Sequence, residues 1–234
     1  MISVAIVGKG NVGFHLYHEM IKSDELKVSQ INSREQASLE EFDVAIIAVS
    51  DDAIAEVSEH IKAPLVAHTS GTTHMNALQN STRKGVFYPL QSFTKDKSVD
   101  FGKVPFCIEA ENEEDLKTLG FLVNRMKSGY YEIGSEERKY IHVAAVFVNN
   151  FVNHMYTNAW DIFEKHHIPF SILRPLINET IEKIERLMPA EAQTGPAIRN
   201  DQKTIKNHLT LLNDSQKEIY QLLTESIQKH GKKL

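Results

Sequence analysis

Residues 3–14, Ser-Val-Ala-Ile-Val-Gly-Lys-Gly-Asn-Val-Gly-Phe, decide the fold. An apolar run from Val4 to Val7 leads directly into Gly8-x-Gly10-x-x-Gly13, and a helix-compatible segment follows. Each glycine in such a pattern has a mechanical reason: the first makes a tight turn, the second lets backbone approach a ligand, and the third lets helix and strand pack closely. The helix start that follows offers unpaired N–H groups and the positive end of a dipole, which suits phosphate. The reading is a strand–turn–helix cradle for a dinucleotide. Gly8, Lys9, Gly10, Asn11, Val12 and Gly13 are its contact residues.

The end of the second strand selects the dinucleotide. An NAD-type site places a carboxylate there, about 20 residues beyond the glycines. Here the segment reads KVSQINSREQ, and Asn32-Ser33-Arg34 follows the strand. A hydroxyl and a guanidinium suit a 2′-phosphate through charge-assisted hydrogen bonds. The expected cofactor is NADP, held by Ser33 and Arg34. Glu35, one position later, keeps NAD open, and Arg34 as a solvated loop charge is the plain alternative.

Beyond this loop, apolar runs alternate with helical segments. Residues 2–7, 27–31, 42–49, 64–67, 85–88, 104–109 and 130–133 read as strands, and 11–23, 112–127 and a segment from Ser50 to about His60 read as helices. FDVAIIAV at 42–49 is apolar almost throughout, the pattern of a parallel strand buried on both faces. The alternation predicts an α/β, doubly wound parallel sheet of Rossmann type, with ligands at the carboxyl ends of the strands. That rule picks out Gly8 to Gly13, Ser50-Asp51-Asp52, His68 to Gly71, and Pro89 to Phe93, with Val49 and Ser50 expected to contact the cofactor.

From Ser135 onward β-like runs disappear, so the boundary is placed at about 134: an NADP-binding domain over 1–134 and an all-helical domain over 135–234. His142 to Trp160 carries no formally charged side chain, yet its four asparagines argue against a membrane span. A helix buried on most sides is expected. At about 100° per residue, His142, Asn149, Asn153, Tyr156 and Trp160 share one stripe. Such a stripe needs partners: a substrate, a nicotinamide amide or other side chains. Further on, Thr194-Gly195-Pro196 marks a turn, and Arg199 follows it. Arg199 either clamps a carboxylate or phosphate or pairs with Asp201.

Composition narrows the classes. A net charge of −5 without a long basic run gives no footprint for nucleic acid. The opening strand does not resemble a secretory signal, and the single Cys107 cannot form a disulfide within the chain, so a cytoplasmic protein is expected. The histidine spacings contain no metal-binding pattern, and no metal is expected.

The segments VGKGNVG, DVAIIAVSDDAI, HTSGTTHMNAL, GVFYPLQSF, IHVAAVFVNNF and TGPAIRND, with His208 downstream, resemble one family. Its members are NADP-dependent oxidoreductases that join a Rossmann-like domain to a helical domain of unknown function. They are related to pyrroline-5-carboxylate reductase and the β-hydroxyacid dehydrogenases. The resemblance implies NADP binding, a helical domain that forms a homodimer, and an active-site cleft between the domains. It does not imply a particular substrate.

One departure changes the mechanism. β-Hydroxyacid dehydrogenases carry a proton-handling lysine four residues before an asparagine on the first interdomain helix. This chain has Ala145 before Asn149 and Val146 before Asn150, with no lysine from 140 to 164. His142 is the substitute acid, with its ordinary pKa near neutrality, and His68 is second. Ser70, Asn149 and Asn153 would orient substrate or nicotinamide, and Arg199 would hold an acidic group. The reaction expected is hydride transfer to or from a small carbonyl, hydroxyl or imine. The missing lysine keeps a second reading open, a non-catalytic NADP-binding regulator or scaffold.

Overall fold

The computed structural model describes residues 1–35 and 37–231. Among them, seven strands form one sheet: β1 (Ile2–Val7), β2 (Leu26–Ile31), β3 (Val44–Ile47), β4 (Leu65–His68), β5 (Arg83–Pro89), β6 (Phe106–Ala110) and β7 (Tyr130–Glu132). Their spatial order is β2-β1-β3-β4-β5-β6-β7. The chain therefore reverses direction at β1, and the carboxyl ends of β1 and β3 lie side by side at the switch point, where ligands bind such sheets.

The period-2 alternation of a strand explains the two-sided core. In β1, Val4 and Ile6 join one buried cluster, with Val44, Ile46 and Leu65. Ala5 and Val7 join another, with Ala45, Ile47 and Val66. Helix α1 (Asn11–Met20) packs Leu16 and Met20 into the first cluster, and α2 (Ile54–Glu59) packs Ile54 into the second. Helix α3 (Glu113–Arg125) begins at Asn112, whose side chain accepts the Asp115 N–H, and it buries Leu119, Leu122 and Val123.

One pairing departs from the expected all-parallel sheet: β5 and β6 run antiparallel, with Tyr88 opposite Cys107. A parallel pair needs a crossover, usually a helix. Between β5 and β6 the chain makes only a 3-10 turn at Phe101–Lys103, so β6 returns beside β5 in the opposite sense. The helical crossover α3 restores parallel pairing between β6 and β7.

The chain divides into two compact units, Met1–Val148 and Asn149–Leu234. Gly134, at the expected boundary, is the N-cap of α4 (Ser135–Ala145), and α4 belongs to the first unit. Arg138 explains why: its side chain is fully buried and bonded to β6 and to the loop after β4.

The second unit contains α5 (Val152–Lys165), α6 (Arg174–Ile184), α7 (Pro189–Ala192), α8 (Gln202–Leu211) and α9 (Asp214–Gly231). Aromatic rings of α5, Trp160 and Phe163, pack on Phe170. His208 of α8 bonds the Tyr220 hydroxyl of α9 at 2.9 Å. Asp201 starts α8 by accepting the Thr204 N–H at 3.1 Å and its hydroxyl at 2.7 Å.

The segment from His142 to Trp160 departs from the expectation in two ways. Residues Val146–Phe151 form a π-helical turn between α4 and α5. A π turn inserts one extra residue, so the even 100° spacing breaks and His142 no longer shares a stripe with Asn149 and Asn153. Nor is this helix buried on most sides: Val143, Val148 and Trp160 are 53%, 74% and 51% exposed.

Candidate functional site

The glycine loop is a packed structure with one open place. Gly8 has φ +123, which favours glycine, and a Cβ there would collide with the Ala48 carbonyl oxygen. A Cβ at Gly13 would collide with the Gly8 carbonyl oxygen. These two positions therefore lock the turn against β3 and the start of α1. Gly10 differs, because a Cβ there would meet nothing within 4 Å. It is the N-cap of α1, and no acidic residue occupies the first turn to compete for the helix dipole. The open space over Gly10 is the room that a phosphate needs.

Around it lies a cavity of about 460 Å³ lined by Gly8, Lys9, Gly10, Asn11, Val12, Ser33, Val49, Ser50 and Thr69, among others. A neighbouring cavity of about 530 Å³ is lined by Ser33, Arg34, Glu35, Glu56, Glu59 and His60, over apolar Val7, Ile31 and Leu39. Of the sequence-selected cofactor residues, Gly8, Lys9, Gly10, Asn11, Val12, Ser33, Val49 and Ser50 line the first cavity and Ser33 and Arg34 the second, while Gly13 and Ser70 line neither. Ser33 faces both cavities, and Arg34 is exposed at the rim. Asn11 also makes a tertiary contact, its amide donating to the Phe93 carbonyl at 2.9 Å. One turn further on, His15 reaches the Thr94 carbonyl at 2.9 Å and lies against the Phe93 ring. These contacts tie the cofactor helix to the loop after β5. Ser50 stands at the N-cap of a 3-10 turn, Asp51–Ala53, but its side chain makes no capping bond.

A second group of residues follows β4. His68 is fully buried, and its Nδ1 accepts the Ser70 N–H at 3.1 Å. Burial, reinforced by the Arg138 cation, lowers its pKa to about 4. His68 is therefore neutral at pH 7 and stores no proton there. Ser70 is a turn residue: its hydroxyl oxygen accepts the N–H groups of Thr72 and Thr73 at 3.1 and 2.9 Å. Thr72 in turn donates to Asp51 at 2.6 Å, linking this loop to the segment after β3.

Arg138 anchors the same loop from α4. It donates to Glu109 at 2.6 Å, to the Thr73 carbonyl at 2.5 Å and to Ser135 at 3.1 Å. Ser135 itself donates to Glu109 at 2.6 Å and accepts the Met75 N–H at 3.0 Å. One turn after Arg138, half-buried His142 meets the Tyr88 hydroxyl, with 3.2 Å between Nδ1 and Oη. His68, Ser70 and His142 are thus neighbours of one loop within the first unit. In the second unit, Asn149 and Asn153 are exposed on the π turn and α5, and Arg199 is exposed after the Gly195 turn.

The sequence reading placed Gly71 in a ligand-facing loop without giving it a role, and it missed Tyr88 and the Arg138–Glu109 pair. Tyr88 sits at the carboxyl end of β5, the edge that the ligand rule selects, so position pointed to it. The buried arginine left no sequence signal, since its charged partner is 29 residues away along the chain. Among the described residues, no group of three His, Cys, Asp or Glu side chains is close enough to hold a metal ion. None of the described helices is long and apolar enough to cross a membrane.

Residues 104–227 match the family model described as a domain of unknown function, DUF2520. The chain belongs to that family. A Bacteroides fragilis protein described as a candidate NADP oxidoreductase shares 34% identity with this DUF2520 member, over 97% of this chain and 98% of its own, with a TM-score of 0.85. Two more distant structures share the fold. A Thermotoga maritima protein is 19% identical over 98% of both chains, with a TM-score of 0.73. Pyrroline carboxylate reductase from Plasmodium falciparum, solved with NADP bound, is 15% identical over 99% of this chain and 97% of its own, with a TM-score of 0.61. Among proteins with curated descriptions, none matches this DUF2520 member in sequence.

Proposed function

We propose that this chain is an NADP(H)-dependent oxidoreductase whose substrate is a small carbonyl, hydroxyl or imine compound. The observation that carries the reading is the cradle at Gly10: tight packing at Gly8 and Gly13, and open space where a phosphate would approach the α1 N-terminus. The residues present fit the group. Lys9 and the α1 N–H groups would hold the pyrophosphate, and Ser33 and Arg34 the 2′-phosphate. When bound, the nicotinamide supplies or accepts the hydride, and the protein orients substrate and manages the proton.

His142 handles that proton. The neutral, enclosed His68 is unsuited to it and instead shapes the turn through Ser70. Ser70 with its loop, and Asn149 and Asn153 from the second unit, supply orienting groups, while Arg199 would hold an acidic group on the substrate. The relatives support this class: a Bacteroides fragilis candidate NADP oxidoreductase, a pyrroline carboxylate reductase with NADP, and an imine reductase from Streptomyces aurantiacus. Exposed Ile172, Leu176, Leu211 and Leu222 on the second unit support a homodimer through that unit, testable by light scattering. The single buried thiol, Cys107, is consistent with a cytoplasmic setting.

The test is a titration of NADPH and NADH followed by thermal shift, then a screen of keto acids, hydroxy acids and imines for absorbance change at saturating cofactor. Tight NADPH binding with substrate-dependent oxidation is the expected result. Failure to bind either nucleotide overturns the reading. Ala145, in place of the dehydrogenase lysine, favours one rival: binding without turnover on any substrate would indicate an NADP-dependent regulator.

A further inference from the structure

Gly71 lies in the loop after β4, within the first unit. It is buried, and a Cβ built on it would stand 2.5 Å from His142 Nδ1 and 2.8 Å from the Tyr88 ring. The backbone after β4 therefore touches the Tyr88–His142 contact directly, and only a residue without a side chain leaves that contact in place. Tyr88 comes from β5, His142 from α4 and Gly71 from the loop after β4. Three separate elements converge on one hydrogen bond.

We propose that Tyr88 is a positioning residue for the proton-transfer group His142, fixing its ring so that Nε2 is the edge offered to substrate. The proposal deepens the oxidoreductase reading and rests on it for its catalytic meaning. Among the described residues, His142 is the partner found for the Tyr88 hydroxyl, and in the proposed arrangement that hydroxyl donates to Nδ1. Burial raises the pKa of that hydroxyl, helped by the facing Cys107, so it stays protonated. A neutral His142 that accepts at Nδ1 carries its proton on Nε2.

A hydroxyl is the partner suited to a ring that changes charge. It donates to Nδ1 of neutral imidazole and accepts from Nδ1–H of imidazolium, so the contact survives both states. A carboxylate would pair with the protonated form and hold the proton back. The charged groups around the pair are Asp51 after β3, Arg138 one turn earlier on α4, and Glu109 on β6, with neutral His68 behind them. Glu109 pairs with Arg138, and among the described residues no carboxylate pairs with His142.

As the hydride pair reaches the substrate carbon, the C=O or C=N π electrons move to oxygen or nitrogen. That atom takes the proton from Nε2 of the imidazolium. His142 is left as neutral imidazole with its remaining proton on Nδ1, donating to the Tyr88 oxygen, and water restores the proton on Nε2.

The test is nitrogen NMR on the full-length, ¹⁵N-labelled protein, with the His142 ring assigned by comparison with His142→Gln. At pH about 8, above the ordinary imidazole range, the expected spectrum shows Nε2 protonated and Nδ1 bare. Tyr88→Phe, with NADPH affinity and thermal midpoint retained, is expected to shift His142 to a mixture of tautomers. A wild-type ring protonated at Nδ1 overturns the proposal without any variant, and so does an unchanged ring in Tyr88→Phe. The NADPH titration judges the oxidoreductase reading separately, since nucleotide affinity and ring tautomer are independent measurements. Once a substrate is found, Tyr88→Phe should lower kcat by about tenfold with KM for NADPH unchanged, less than the roughly 10²–10⁴-fold carried by a general acid itself, because Tyr88 acts through His142. Unchanged kcat would remove Tyr88 from the mechanism.

Discussion

Arg138 Nη1 lies 2.6 Å from Glu109 Oε2, with the arginine side chain fully buried and the glutamate 17% exposed. This pair joins α4 to β6 and, through Thr73 and Ser135, holds the loop after β4. Removing one partner strands the other charge in a low-dielectric place, which costs about 3–5 kcal/mol. Arg138→Ala should lower unfolding free energy by about that amount in urea titration, and Glu109→Gln by less. A loss below about 1 kcal/mol for Arg138→Ala would mean that the pair is not the anchor described.

The glycine loop makes a prediction that separates folding from binding. Gly10→Ala meets no protein atom, so its thermal midpoint should equal wild type while NADPH affinity falls. Gly8→Ala is strained by its φ and by Ala48, so it should lose stability as well as binding. Equal NADPH affinity in Gly10→Ala and wild type would place the phosphates elsewhere.

Arg34 tests the choice of dinucleotide. A charge-assisted hydrogen bond contributes about 1.5–3 kcal/mol, or roughly tenfold to a hundredfold in affinity. Arg34→Ala should weaken NADPH by that factor and leave NADH nearly unchanged, read by parallel fluorescence titrations. Equal losses for both nucleotides would assign Arg34 a general role instead of 2′-phosphate recognition.

His68 predicts an acid-sensitive fold. Its pKa is about 4 in the folded chain, against an ordinary imidazole value of 6.5. Between those values the unfolded chain binds a proton that the folded chain refuses, so stability rises with pH. The contribution is full above pH about 6.5 and is lost as pH falls towards about 4, by roughly 3 kcal/mol. His68→Asn retains an acceptor for the Ser70 N–H and removes the ionisation. Its stability, measured in denaturant from pH about 7 to about 4, should decline less steeply than wild type. Parallel curves would mean that His68 does not report on acid unfolding.

Much of the first unit was legible because its signals are local. The glycine spacing and the doubly buried strand FDVAIIAV act through neighbours along the chain or through burial on two faces. The antiparallel β5–β6 pair was not legible as such, because its cause is a missing crossover helix rather than any residue pattern. The stripe from His142 failed for a related reason. Periodicity assumes an unbroken α-helix, and the π turn at Val146–Phe151 shifts every later position.

Residue order alone establishes that an apolar run leads into a glycine cradle, that Asn32-Ser33-Arg34 follows the second strand with Glu35 next, and that the dehydrogenase lysine is absent. Those are matters of residue type and spacing, which local backbone geometry translates directly. Which distant groups meet is set by the folded chain. Folding places Gly71 against Tyr88 and His142, and it puts Arg138 on Glu109. Such contacts depend on strand order, register and helix phase together, and a buried hydrogen bond exists only once all three are set.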